Sequence, residues 1–173
     1  DIIKTLGFRG EALSSIASVS NLEIKTRTAD DELGTCLRLD NNEILKEKSA
    51  FPKGASVAVK NLFYNTPGRR NFLKSNATEL KHIIDTFKKI ALSNHSVSFK
   101  FYNEDELIFD FCAGTVEDRM KAVFADNILD AVIPVEEVTE YITLKGYVAK
   151  PTYLKKAKGE QYFFLNGRYV ISR

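Results

Sequence analysis

The chain has 173 residues, 44% of them hydrophobic, enough for a core in one domain or two small ones. Its 25 Lys and Arg against 23 Asp and Glu leave a formal charge of +2, so net charge alone does not point to nucleic acid. No apolar run reaches membrane-spanning length and no signal-peptide pattern is present.

Residues from about Gly10 to Val19 read as a short helix. Asn21 to Thr28 alternates Leu22, Ile24 and Thr26 against Glu23, Lys25 and Arg27, the pattern of a half-buried strand. Cys36 to Leu39 and Glu43 to Glu47 flank Asp40-Asn41-Asn42, a hairpin turn. After the Pro52-Lys53-Gly54 turn, Ser56 to Leu62 alternates again, with Val57, Val59 and Leu62 expected inward. The clearest element is a helix from Asn76 to about Ser93. Asn76 and Glu79 suggest a capping-box start. Leu80, Ile83, Ile84, Phe87, Ile90 and Ala91 share one face, with Lys81, Asp85, Lys88 and Lys89 opposite. Val97 to Tyr102 and Leu107 to Cys112 form a second hairpin around Asn103-Glu104-Asp105.

Thr115 caps a further helix running to about Phe124, with Val116, Met120 and Val123 or Phe124 inward. Ala131 to Val138 and Ile142 to Val148 read as paired strands. Tyr153 to Gly159 is a basic loop carrying Lys155, Lys156 and Lys158. Gln161 to Leu165 is a last strand before the Asn166-Gly167 turn. A meander, a long helix, a hairpin, and then a helix with strands make an α+β class. Cys36 and Cys112 read as buried free thiols, which fits a reducing compartment. His82 and His95 stand outside any ligand cluster, so no metal site is assigned.

Chemistry concentrates at Gly7-Phe8-Arg9-Gly10-Glu11-Ala12-Leu13. Two glycines bracket an arginine immediately before a helical pattern. A helix start offers unpaired N–H groups and partial positive charge. Glycines admit close approach of an anion, and arginine adds a charged fork suited to phosphate. The local reading is a phosphate cradle. By itself such a loop is more often a plain turn, and neither the P-loop nor the dinucleotide fingerprint is present.

Longer strings sharpen this. Thr5-Leu6-Gly7-Phe8-Arg9-Gly10-Glu11-Ala12-Leu13-Ser14-Ser15-Ile16 closely resembles the signature of the MutL family of DNA mismatch repair proteins. Leu62-Phe63-Tyr64-Asn65-Thr66-Pro67-Gly68-Arg69-Arg70-Asn71-Phe72-Leu73-Lys74 is similar to that family's L-F-Y-N-T-P-A-R-x-K-F-L motif. Phe164-Leu165-Asn166-Gly167-Arg168-Tyr169 is similar to its V-N-G-R stretch. Order and approximate spacing match across nearly the whole chain. Three positions depart from the pattern: Gly68 stands where the family usually has Ala, Asn71 where it has Lys, and Ala55 where Thr commonly follows the glycine.

The resemblance implies the back half of an ATPase domain of the gyrase, heat-shock chaperone, histidine kinase and MutL type (GHKL), over residues 1–112 and including the ATP lid. Residues 113–173 would then begin a transducer domain with a ribosomal-protein-like fold. It implies ATP and magnesium as cofactors, with phosphate contacts carried by Gly7, Phe8, Arg9, Gly10, Glu11, Ala12 and Leu13. The water-activating carboxylate, the magnesium ligand, the adenine-recognising Asp and the γ-phosphate lysine are expected outside this chain. The segment therefore reads as incomplete at both ends, and no catalytic residue is assigned. A full-length parent is expected to hydrolyse ATP slowly, and this segment alone not at all. Glu11 reads as a capping residue rather than a general base.

Basic residues Arg69, Arg70, Lys74, Arg168 and Arg173 are the DNA-contact candidates, binding phosphates without sequence preference. The resemblance favours Lys74 and Arg173, whereas Arg69 and Arg70 could equally anchor the turn. It also implies a MutS-type mismatch-recognition partner and self-association through the N-terminal domain on ATP binding, with no membrane role. The setting would be cytoplasmic in a bacterium or nuclear in a eukaryote. Two alternatives stay open: a stand-alone nucleic-acid-binding or interaction module without nucleotide chemistry, and another GHKL ATPase such as a type II topoisomerase subunit. A half-sheet without its neighbours would expose an edge and an apolar face.

Overall fold

The computed structural model describes residues 7, 9–40, 43–153 and 161–171. It divides into two compact units, Asp1–Glu79 and Leu80–Arg173.

In the first unit a short helix α1 (Ala12–Ala17) precedes strands β1 (Asn21–Arg27), β2 (Gly34–Asp40), β3 (Glu43–Ser49) and β4 (Gly54–Lys60). They form one antiparallel sheet in the order β3-β2-β1-β4. Register follows the side-chain alternation. Leu22 faces Leu39 and Val59, and Ile24 faces Leu37 and Val57, so these apolar residues share one face. The opposite face is charged. Glu23 meets Arg38 at 2.8 Å and Lys25 at 3.0 Å, with Lys60 at 3.9 Å. The Arg38 hydrogen bond, then that from Lys25, holds the Glu23 carboxyl down to about 2. At Gly34 a Cβ would come within 2.6 Å of the Phe51 ring and 3.1 Å of the Thr26 carbonyl oxygen, so the strand needs glycine there.

The expectation that Val57, Val59 and Leu62 point inward is corrected: they are 52%, 44% and 45% exposed. Val57 and Val59 lie on the apolar side as the alternation requires, whereas Leu62 follows the end of β4 between the positive-φ residues Asn61 and Phe63; α1 packs on β1. The exposed apolar face anticipated for a half-sheet is present, with Ile44 on β3 also 66% exposed.

A five-residue helix α2 (Pro67–Asn71) follows, then α3 (Asn76–Ser93), where the division between units falls. Asn76 begins α3 as expected, but the cap is Ser75, whose carbonyl accepts from Thr78 N at 2.9 Å and Glu79 N at 3.0 Å. Glu79 instead accepts the Lys74 backbone N–H at 2.8 Å, because its side chain reaches back past the cap.

In the second unit α3 packs on the hairpin β5 (Phe99–Asn103) and β6 (Glu106–Phe111), with α4 (Val116–Val123) closing the core of Ala91, Phe111 and Val123. Phe87 contacts four rings, Phe99, Phe101, Phe109 and Phe111, at centroid distances of 5.0 to 5.9 Å. Ile83 and Ile90 flank this aromatic line and remain exposed. Lys88 and Lys89, expected on the solvent face, lie over Phe109 and Tyr169 at 5.4 and 4.4 Å. Cys36 is buried, but Cys112 is exposed, because Phe111 takes the inward place at the end of β6.

Helix α4 starts with a capping box: Thr115 Oγ1 accepts from Asp118 N at 3.1 Å and Asp118 accepts from Thr115 N at 3.0 Å. Its inward side is Arg119, Met120 and Val123, whereas Val116 is exposed. The hairpin β7 (Val132–Val138) and β8 (Thr143–Ala149) follows, tied to α4 by the Tyr147 hydroxyl donating to Glu117. Phe163–Leu165 (β9) and Arg168–Val170 (β10) pair across Asn166 and Gly167, both at positive φ. The described residues thus make an α+β fold.

Candidate functional site

Gly10 sits at φ +67°, and a Cβ at Gly7 or Gly10 would meet nothing within 4 Å. The loop therefore approaches the start of α1 with open space around it. Glu11 occupies the N-cap position but makes no side-chain capping bond. Its expected capping role is corrected: only its carbonyl acts, accepting from Ser15 N at 3.0 Å and Ser14 Oγ at 2.9 Å. The first-turn N–H groups of Ala12, Leu13 and Ser14 have no intrahelical acceptor, as at any helix start. Arg9, Gly10, Glu11, Ala12 and Leu13 are all exposed. Gly7 and Arg9 each keep a contact of their own, and Phe8 lies outside the described residues. A glycine loop with an arginine and open amides is a donor set that fits a phosphate.

Helix α1 has no buried residue, so its attachment comes from its C-terminal end. Ser20, 1% exposed, donates its hydroxyl to Ile16 O at 2.7 Å. The Leu62–Thr66 turn supplies the rest. Asn65 Nδ2 donates to Ser18 O at 2.9 Å, Phe63 N to Val19 O at 2.7 Å, and Asn61 Nδ2 to Asn21 Oδ1 at 2.8 Å. These pairs continue the antiparallel β1–β4 ladder past its Asn21–Lys60 end. Asn61 and Phe63 take φ of +52° and +63°, bending the chain away from the sheet.

The bend delivers the basic turn. Pro67 opens α2, and Arg69 and Arg70 sit in its last turn. Both are exposed, and among the described residues neither makes a side-chain hydrogen bond or ion pair. The anchoring considered for them is done by Asn61, Phe63 and Asn65 instead. Arg70 lines a cleft of about 540 Å³ with Asn21, Asp40, Asn61, Leu62, Tyr64 and Leu73. Within it Asn21 donates to Asp40. Lys74 is exposed, its backbone N–H fixed by Glu79.

The glycine loop and the Arg69–Lys74 stretch therefore belong to one unit, linked by the L-F-Y-N-T-P turn. Arg168 belongs to the other: it is half-buried on β10 and engaged in a contact of its own. Arg173, Lys155, Lys156 and Lys158 lie outside the described residues. Among the described residues no group of His, Cys, Asp and Glu could hold a metal ion, and no helix is long and apolar enough to cross a membrane.

The sequence reading did not single out Asn65, which makes the side-chain tie to α1, or Arg119. Arg119 is 2% exposed and donates to the carbonyls of Ala91, His95, Val97 and Cys112 at 3.3, 3.2, 2.6 and 3.0 Å. Its side chain lies between the Phe99 and Phe111 rings, 5.3 and 5.2 Å from their centroids, and burial pushes its pKa down.

Comparison with known proteins places this geometry. The sequence model of a family described as "DNA mismatch repair protein, C-terminal domain" matches residues 120–173. The DNA mismatch repair protein MutL of Christiangramia forsetii is 43% identical over 98% of this chain, and that of Chlorobaculum tepidum 45% over 100%. The chain spans 28% of the length of either relative. Among solved structures, the Aquifex aeolicus MutL ATPase domain complexed with ADP superposes with a TM-score of 0.77 at 29% identity. That match covers 94% of this chain and 63% of that one.

Proposed function

From a chain that belongs to the MutL family of DNA mismatch repair proteins, we propose a nucleotide-switched DNA clamp whose ATP lid and basic turn both lie in this segment. Residues 1–112 supply the back half of the GHKL ATPase domain, and residues 113–173 begin the transducer domain. A family model that starts at residue 120 supports that division.

The observation that carries the reading is the open Gly7–Leu13 loop, in a chain similar over 94% of its length to an ATPase domain complexed with ADP. ATP brings a γ-phosphoryl group whose charge, with that of magnesium, can order a loop. The backbone amides of Gly10 to Leu13 and the Arg9 guanidinium hold the phosphates, and Gly7 and Phe8 shape the approach. Arg69, Arg70 and Lys74 contact DNA phosphates without reading sequence, and Arg168 and Arg173 extend the contact. ATP-dependent self-association and coupling to a MutS-type mismatch-recognition protein complete the role. The intact protein hydrolyses ATP slowly, and the reaction's general base and magnesium ligands are assigned to no residue of this chain.

The test is a calorimetric titration of the full-length protein with a non-hydrolysable ATP analogue and magnesium. Micromolar binding that weakens at least tenfold in Arg9→Ala is expected. Equal affinity in the two proteins would remove the loop from the phosphate site.

A further inference from the structure

The L-F-Y-N-T-P turn makes contacts that neither phosphate nor DNA binding requires. Three residues in it or just before it bond the start of β1 and the end of α1: Asn61 to Asn21, Phe63 to Val19 and Asn65 to Ser18. α1 has no fully buried residue, and these bonds, the Ser20 hydroxyl and the half-buried Ile16 and Ala17 hold the helix that follows the glycine loop. On the other side of Asn65 the chain has little slack. Thr66 is the N-cap of α2, its carbonyl accepts Arg70 N at 3.1 Å, and Pro67 fixes the next φ. Only four residues therefore lie between the tie to α1 at Asn65 and the second arginine of the basic turn, Arg70. Phe63 at φ +63° is a backbone state that a bulky side chain adopts only when its surroundings impose it. Here the imposing contact is its own N–H bond to Val19.

We propose that Asn65 is a positioning residue that couples the glycine loop to the basic turn: its amide bond to Ser18 O makes the placement of Arg69 and Arg70 depend on that of α1. The inference rests on the nucleotide and DNA reading above and deepens it. Ordering of the glycine loop fixes α1, α1 fixes Ser18 and Val19, and the turn presents its arginines in one arrangement. By reciprocity, DNA held at the turn favours the ordered loop.

The test measures affinity for a mixed-sequence duplex with and without a non-hydrolysable ATP analogue, in the full-length protein and in Asn65→Ala and Asn65→Asp. Aspartate keeps the shape but, ionised, cannot donate to the Ser18 carbonyl. Wild type is expected to show coupling of about tenfold. Both variants should bring it below about twofold, while the affinity for each ligand alone stays within about threefold. Coupling that persists in Asn65→Asp overturns the inference and leaves the functional reading standing. Wild type that binds no nucleotide, or binds both ligands without coupling, overturns both. Amide exchange in the wild type needs no variant: duplex DNA should slow exchange across residues 12–19, and unchanged exchange there on a DNA-saturated protein would equally refute the coupling.

Discussion

Replacing Arg119 with Met tests whether the second unit is held by a buried cation. Methionine keeps the apolar stem between Phe99 and Phe111 but removes four hydrogen bonds to backbone carbonyls. Those carbonyls belong to the end of α3, the chain beyond it and the residue after β6; Ala91 O and His95 O keep backbone donors, Asn94 N and Gly114 N, whereas Val97 O and Cys112 O lose the donor that Arg119 supplies. At about 1 kcal/mol net per bond the loss is roughly 4 kcal/mol. Relief of the guanidinium's desolvation, which already pushes its pKa down, trims this to about 3 kcal/mol. There is no tryptophan, and all but Tyr64 of the seven tyrosines fall in the second unit, so tyrosine emission in urea follows that unit. With a urea slope of about 1.5 kcal/mol per molar, the midpoint should drop by about 2 M. A drop under about 0.5 M would refute the reasoning and make Phe87 and its four ring contacts the main fastening. Arg119→Lys should recover only part of the loss, since an ammonium lacks the fork that spans four carbonyls.

Glu23 supplies a pH signature. Its pKa is depressed in the fold, from the ordinary 4.5 to about 2, so its contribution is complete above pH 4.5 and is lost as pH falls through about 2. Carboxyl NMR should give a midpoint near 2, and a midpoint near 4.5 would mean that Arg38 and Lys25 do not hold it in solution. Glu104 stands at φ +54° in the β5–β6 turn, so Glu104→Gly should stabilise the second unit by about 0.5 kcal/mol after the unfolded-state entropy of glycine is counted. A lower urea midpoint would rule out strain at that turn. If Arg69 and Arg70 contact DNA phosphates, the double alanine variant of the full-length protein should lose about 2 units of the slope of log affinity against log salt. An unchanged slope places the contact elsewhere.

Elements defined by local pattern were legible in the chain. The α3 boundaries follow from a run of apolar residues at helical spacing, and the hairpins from their turns. What escaped depends on partners distant in sequence. Arg119 carries a charge on a helix whose apolar spacing points to Val116 and Met120. The carbonyls of Ala91 in α3, His95 and Val97 in the link to β5, and Cys112 just after β6 make its burial tolerable. Val57 and Val59 were assigned to the correct face, but alternation tells which face is apolar and not whether a second layer covers it. β10 was missed because a three-residue strand carries too few alternations to register. At the candidate site the glycines and arginines were visible as motifs. Asn65 was not, since an Asn-Thr-Pro turn looks complete without a partner forty-seven residues earlier.

The two units are fastened in different ways, and the difference suits a switch. The second has an aromatic core around Phe87 and the buried Arg119, interactions that do not open one at a time. The first presents its candidate ligand contacts at α1, where only Ile16 and Ala17 are half-buried, and on α2, whose residues are all exposed. Segments held by a few hydrogen bonds occupy the low end of a protein's local stability, where a ligand can change their order at modest energetic cost. On the function proposed above, a phosphate on the glycine loop would meet a helix held by the bonds to Ser18, Val19 and Ile16 and not by a fully buried residue. The sheet beside it is anchored by Leu22 on β1 and Cys36 on β2, both buried. A rigid strand with a weakly tied helix before it and a strained turn beside it is sufficient for a two-position device. On the coupling proposed above, Asn65, through its bond to Ser18 O, is the side chain that would make its two ends move together.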